Sequence, residues 1–195
     1  MKKFMMMVAM AFATLTASAQ AEVGTLTLKP LVGMNLAKIT EGENKMKVGV
    51  AAGAELEYML SDNASISAGA IYSMQGCKGK GEESNVKYNL DYINIPILAN
   101  YYVAKGFAVK AGIQPAFKVS SKIKGGGESA DIKGLKSFDL AIPLGLSYEI
   151  SNFVIDARYN LSLTKIADDF TEDGVKYEYG KNQVIQITLG YKFAL

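Results

Sequence analysis

The sequence predicts an all-β fold: an eight-stranded antiparallel up-and-down barrel that crosses a membrane with strands, preceded by a cleaved leader. Three observations predict it. The chain opens on a secretory signal, the remainder alternates apolar and polar residues with period two, and the connections between alternating segments are short and long by turns.

The leader comes first. Lys2 and Lys3 supply a positive start, Phe4 to Leu15 an apolar stretch rich in Met and Ala, and Ala17-Ser18-Ala19 a small-residue cleavage site. Cleavage is expected between Ala19 and Gln20, which makes 1–19 the signal peptide and 20–195 one barrel domain. An apolar stretch of about a dozen residues falls short of the roughly 20 that a spanning helix needs. The single cysteine, Cys77, lies far from the cleavage point, so neither an N-terminal lipid anchor nor an internal disulfide is expected. Cys77 sits in Gln75-Gly76-Cys77-Lys78-Gly79-Lys80-Gly81 and reads as an incidental loop thiol.

A chain of 195 residues asks for one domain. Hydrophobic residues make up 49% of it, yet no window of 18 apolar residues follows the leader, so the apolar content is distributed as alternation. The alternation marks strands at about 26–37, 47–60, 64–74, 87–102, 107–120, 137–149, 153–165 and 182–193. The fourth is irregular: in Leu90-Asp91-Tyr92-Ile93-Asn94-Ile95-Pro96-Ile97-Leu98 the apolar face switches around Ile93, and Pro96 cannot donate a ladder hydrogen bond, so a bulge or break is expected there. In the sixth, Phe138, Leu140, Ile142, Leu144, Leu146 and Tyr148 alternate with Asp139, Ala141, Pro143, Gly145, Ser147 and Glu149. In the seventh, Phe153, Ile155, Ala157, Tyr159, Leu161 and Leu163 alternate with a second, more polar set that includes Asp156, Arg158 and Asn160. Runs of this length exceed an ordinary strand of about 5–6 residues and suit a tilted spanning strand of about 9–11.

The connections Ser61-Asp62-Asn63, Val103 to Gly106, and Ser151-Asn152 are short. Those from Thr40 to Met46, Gln75 to Val86, Ser121 to Lys136, and Ile166 to Lys181 are longer and polar. Strict alternation is what a barrel with periplasmic turns and external loops produces. Aromatics gather near strand ends: Tyr58, Tyr102, Phe107, Tyr148, Phe153, Tyr191 and Phe193 on the short-turn side, and Tyr72, Phe117 and Phe138 on the long-loop side. Two girdles at the lipid–water boundaries are therefore expected.

Four strings, Leu90-Asp91-Tyr92-Ile93-Asn94-Ile95-Pro96, Ala111-Gly112, Asp156-Ala157-Arg158-Tyr159-Asn160-Leu161-Ser162-Leu163 and Leu189-Gly190-Tyr191-Lys192-Phe193, carry a resemblance. In order and spacing they resemble the small outer-membrane β-barrel domain family, often labelled porin-like, that is abundant in the Bacteroides group of Gram-negative bacteria. The resemblance covers essentially the whole mature chain and implies an outer-membrane location, contact with outer-membrane lipid and recognition by the barrel-assembly machinery. Ala194 and Leu195 follow Phe193, where such barrels usually finish on an aromatic.

Chemistry is restricted by what is missing. There is no histidine, which removes His-based metal sites and Ser-His-Asp triads. A formal net charge of +2 with both signs scattered gives no basic stripe for nucleic acid. Glu55 and Glu57 form a carboxylate pair on the presumed inward face of the second strand, joined by inward Lys29, Lys110, Asp139, Glu149, Asp156, Arg158 and Lys192. An eight-stranded barrel has room inside only for its own side chains, so these charges are expected to pair across the lumen and plug it. Asp168-Asp169 and Glu172-Asp173 do not match the spacing of a calcium loop and read as a solvated charged loop, and Gly125-Gly126-Gly127 lacks the Lys-Ser/Thr of a phosphate cradle and reads as a flexible one.

The sequence thus points to a monomeric, non-enzymatic barrel without cofactor or metal, structural or binding an external ligand through its long loops. Two alternatives stand beside it: a narrow ion or small-solute pore, and a soluble periplasmic barrel carrying an apolar ligand, which requires an apolar lumen and a polar exterior.

Overall fold

The computed structural model describes residues 22–41, 44–80, 86–126, 128–172 and 175–195. The expected leader and its cleavage site lie outside them, as do residues 42–43, 81–85, 127 and 173–174. In chain order the strands are β1 (Leu26–Ile39), β2 (Asn44–Ser61), β3 (Ala64–Gly79), β4 (Lys87–Asn94), β5 (Ile97–Ala104), β6 (Phe107–Gly125), β7 (Glu128–Asp131), β8 (Phe138–Ile150), β9 (Phe153–Lys165), β10 (Phe170–Glu172), β11 (Val175–Tyr177), β12 (Lys181–Tyr191) and β13 (Phe193–Ala194).

Consecutive antiparallel pairing runs from β1 through β2, β3, β4 with β5, β6, β8 and β9 to β12, and β12 returns to β1 from Leu31↔Gly190 to Ile39↔Asn182. The short β13 extends that seam, with Leu28 opposite Phe193. The ring is therefore an eight-position closed barrel with no free edge, as the alternation predicts.

The irregular fourth strand is two strands in one position. β4 pairs with the outer parts of β3 and β6, and β5 with the inner parts. Between them Ile95 donates its N–H to the Pro115 carbonyl at 2.8 Å, and the Pro96 carbonyl accepts from Gly69 N–H at 3.1 Å, so the ladder continues past the proline. The facing is regular too: Leu90, Tyr92, Asn94, Leu98, Asn100 and Tyr102 are all buried. The apparent switch at Ile93 arises because the lumen itself is apolar at Leu90 and Tyr92, so apolar residues occupy both faces there.

Several strands outrun the membrane. β2 has 18 residues, β3 has 16 and β6 has 19, against about 9–11 to cross. Residues 75–79 and 121–125, expected as loop, are paired strand. Beyond the bilayer a strand needs no outward apolar face, so Gly, Ser and Lys continue the ladder without the signature that marks it in sequence. Cys77 is accordingly a buried strand residue rather than a loop thiol. Two further hairpins, β6–β7 and β10–β11, shape the long connections. Gly125 ends β6 and Gly126 turns the first of them with φ of +60°.

Burial is inverted relative to a soluble protein. Val32, Val48, Ile66, Leu144, Ile155 and Leu189 are exposed on the outer wall, while Lys29, Glu55, Glu57, Asp156 and Arg158 are at most 2% exposed inside. An apolar wall around a charged interior is stable only when lipid is the outer solvent. No helix among the described residues is long and apolar enough to cross a membrane, and the crossing is made by strands.

The girdles are present. Phe117 and Phe138 meet edge to face at 5.6 Å on the long-loop side, and Phe153, Tyr191 and Phe193 form a chain with centroid spacings of 5.0 and 4.7 Å on the short-turn side. Tyr102 is a correction to the expected girdle, being 4% exposed and pointing inward. It follows Leu98 and Asn100 on the lumen face of β5, and its hydroxyl is taken up by carboxylates there.

Candidate functional site: the lumen and its outer mouth

Two charged clusters fill the lumen toward the short-turn end. In the first, Arg158 on β9 reaches across the barrel to Glu55 on β2 with both terminal nitrogens, Nη2 lying 2.9 Å from Oε2 and Nη1 contacting Oε1. Its Nε donates to Asp156 Oδ1 at 2.6 Å. Lys29 Nζ closes on Glu55 Oε2 at 2.7 Å, and Lys110 Nζ on Asp156 Oδ2 at 2.8 Å. Guanidinium and carboxylate planes matched in this way give the strongest of side-chain pairs.

The second cluster is built on Lys192. Its Nζ sits 2.9 Å from Glu57 Oε2 and also contacts Glu149 Oε1. Tyr102 places its hydroxyl 2.7 Å from both Glu57 Oε1 and Glu149 Oε1, with Lys192 Nζ 3.0 Å from the phenol oxygen. One phenolic proton serves the two carboxylates, while Lys192 donates to the oxygen. Ser65 Oγ donates to Glu57 Oε1 at 2.5 Å, and Asn100 donates to Ser65 at 3.0 Å.

The two clusters balance: Lys29, Lys110, Arg158 and Lys192 face Glu55, Glu57, Asp156 and Glu149. Glu55 and Glu57, adjacent on the face of one strand, do not act as a pair, because each is claimed by a different cluster. Asp139 lies apart toward the outer end, where Ser162 Oγ donates to it at 2.6 Å and the Thr164 hydroxyl also contacts it.

Glycines give these side chains their room. A Cβ on Gly69, opposite Glu55, would fall 2.6 Å from Glu55 Cγ, and one on Gly145, opposite Arg158, would fall 2.9 Å from Arg158 Cγ. One on Gly190 would fall 2.9 Å from Lys29 Cγ. Large charged residues against residues without side chains is how the small interior is filled.

Above the two clusters amides join the single charges Lys47, which donates to the Gln75 carbonyl at 2.7 Å, and Asp139, before the lumen turns apolar. Asn35 donates to Ser73 Oγ at 2.9 Å and Gln75 to the same atom at 3.1 Å. Leu90, Tyr92 and Ala116 pack with Ile39, Leu135 and Ile166 as a floor beneath the loops. A cavity of about 670 Å³ opens there to the outside, lined by Leu90, Tyr88, Cys77 and Ile166 and rimmed by Glu41, Lys133 and Asp168. The loop over it is tied down by Lys136 N–H to the Ile166 carbonyl at 2.8 Å, Lys118 Nζ to the Leu135 carbonyl at 2.7 Å and a Lys136–Asp168 ion pair at 2.5 Å. Asp169 pairs with Lys165 at 2.6 Å and accepts the Tyr179 N–H at 3.1 Å, so Asp168 and Asp169 are both engaged by groups of the same chain.

The residues that sequence reasoning missed include Tyr102, Ser65 and Asn100, legible only by strand parity because none carries a charge, and Lys47, which is buried and donates to the Gln75 carbonyl at 2.7 Å. Replacing Tyr102 by Phe removes the one proton between Glu57 and Glu149, and is expected to lower unfolding stability in urea by about 1–3 kcal/mol while leaving the barrel folded.

An inverted β-ring with a salt-bridged lumen, aromatic girdles and external hairpins defines an outer-membrane β-barrel protein. Residues 17–168 match the family described as outer membrane protein beta-barrel domain, and the chain belongs to that family. Among solved structures it is similar to Ail, the attachment invasion locus protein of Yersinia pestis, in complex with the heparin analogue sucrose octasulfate: 16% identity, TM-score 0.52, covering 88% of this chain and 99% of that one. It is also similar to neisserial surface protein A, NspA, at 13% identity and TM-score 0.51, covering 86% of this chain and 97% of that one. At these identities the likeness is one of fold. No curated protein matches the sequence.

Proposed function

We propose that the protein is a non-enzymatic barrel of the outer membrane whose lumen is sealed by its own ion pairs and whose long loops present the outer mouth to an external ligand. The observation that carries this reading is the bidentate Arg158–Glu55 pair with Lys29, Asp156 and Lys110 around it, spanning the lumen from β9 to β2. A permeating ion would have to displace groups already paired in low dielectric, and separating one such pair costs about 3–5 kcal/mol. The soluble-carrier alternative requires an apolar lumen and a polar exterior, the inverse of the observed burial. The same reading includes removal of residues 1–19, a mature domain of 20–195, folding by the barrel-assembly machinery as a monomer, and the Bacteroides-group affiliation of the strings around Asp91 and Arg158.

Planar-bilayer recording on the refolded full chain tests the seal. No steady conductance is expected. Stepwise ohmic conductance from the unmodified protein would instead support the narrow pore and overturn the plug.

A further inference from the structure

Beyond the lumen, the extended strands carry a feature that neither the plug nor the mouth uses. On the outer part of the sheet, Lys45 of β2 is directly opposite Lys78 of β3, Lys78 is opposite Lys87 of β4, and Lys87 is opposite Lys124 of β6. Lys122, two residues before Lys124 on β6, stands opposite Asn89 of β4. Four lysines in one cross-strand row span three strand spacings, about 15 Å. Like charges directly opposite destabilise a sheet, so the row is a local cost that an anion would relieve.

The facing of the row follows from the register. β3 and β4 pair without interruption from Ile71↔Asn94 to Lys78↔Lys87. Ser73, Gln75 and Cys77, with Leu90 and Tyr92, are buried on the lumen side. Tyr72, Met74, Gly76 and Lys78, with Ile93, Asp91, Asn89 and Lys87, are therefore on the outer wall. Lys124 shares the face of Lys87, and Lys45, Lys87 and Lys124 are exposed. Lys78 lies six residues beyond Tyr72, which with strand tilt is about 15 Å above the aromatic boundary. Among the described residues no carboxylate makes an ion pair with Lys45, Lys78, Lys87 or Lys124. Among the described residues the acids near the row by register are Asp91, which accepts from the Tyr72 hydroxyl at 2.9 Å, Asp131 opposite Lys122 and Glu128 opposite Gly125.

We infer that this row binds the anionic headgroup saccharide of outer-leaflet glycolipid, through its phosphates and carboxylates. The row continues the lipid-facing wall upward and points sideways rather than into the mouth, so its neighbours are the headgroups of the molecules whose acyl chains touch Tyr72, Ile93 and Phe117. Its height places it above the acyl region, at headgroup sugars. Clustered lysines next to a membrane surface are a general device for holding anionic lipid.

The test uses the full mature chain with lipopolysaccharide, phosphate-stripped lipopolysaccharide and acyl-free dextran sulfate as probes. The unmodified protein is expected to bind lipopolysaccharide at least about tenfold more tightly than the triple variant Lys78→Gln, Lys87→Gln, Lys124→Gln, and tighter than it binds the phosphate-stripped form, with the difference fading in high salt. Heat-modifiable gel migration establishes that the variant is folded. Should it fail to fold, Lys87→Gln alone must show weaker binding and a flatter salt dependence. Equal binding by unmodified and variant proteins, or preference for dextran sulfate over lipopolysaccharide at equal charge, would overturn the inference. Neither result bears on conductance, so the row and the lumen seal stand or fall separately.

Discussion

Arg158→Glu is expected to abolish recovery of folded barrel. Arg158 is 2% exposed and is held by Glu55 and Asp156. Reversal puts a third carboxylate beside two others with only Lys29 and Lys110 in compensation. Leaving a buried charge unpaired costs about 3–5 kcal/mol, and adding like-charge repulsion exceeds the margin of a small domain. Arg158→Met, which keeps the length and packing of the stem, should retain folding with reduced stability. Heat-modifiable migration after refolding in detergent separates these: the Glu variant should stay at the unfolded position and the Met variant should shift. A Glu variant that folds with unmodified stability would mean that the lumen pairs hold little of the structure.

Gly69→Val is expected to be nearly as severe by a purely steric route. Its Cβ would stand 2.5 Å from the Ala54 carbonyl oxygen and 2.6 Å from Glu55 Cγ. The first is backbone of the neighbouring strand and cannot move aside without opening the β2–β3 ladder, and the second is the carboxylate stem that Arg158 and Lys29 grip. Overpacking of this kind typically costs about 1–3 kcal/mol in a soluble core, and more where backbone must yield. Urea unfolding in detergent should show a large fall in midpoint. In a Glu55→Ala background, itself less stable because Arg158 and Lys29 lose this partner, Gly69→Val should cost less than it does in the unmodified protein, because the shortened side chain vacates the space. An equal cost in the two backgrounds would assign the whole effect to the backbone contact.

The strand count, the closing of the ring and the inward charges were legible in the sequence because within the bilayer each residue must choose between lipid and lumen, which imposes period two on the chain. Lys29, Glu55, Asp156 and Arg158 announce themselves because a charge in that pattern has only one tolerable direction. Outside the bilayer the constraint lapses. The outer ends of β3 and β6, and the hairpins that follow, are strand by hydrogen bonding alone, so Cys77, Lys78 and Lys124 could not be placed from sequence, nor could the row they form with Lys87. Tyr102 misled for a related reason: a tyrosine near a strand end fits the girdle by composition, and only the parity set by Leu98 and Asn100 turns it inward. The division of Glu55 from Glu57 was equally invisible, since it depends on which cation from a distant strand arrives opposite each.

Spin labels introduced one at a time along β9, from Phe153 to Leu163, in a Cys77→Ser background and reconstituted in lipid, test the inverted barrel most directly. Labels at Phe153, Ile155, Ala157, Tyr159, Leu161 and Leu163 should be accessible to lipid-dissolved oxygen. Labels at Val154, Asn160 and Ser162 should be shielded from it, giving a period-two profile across the membrane; Asp156 and Arg158 are left unlabelled to keep the ion pairs. A flat profile, or one in which the accessible set is reversed, would contradict a lipid-facing apolar wall around a charged lumen.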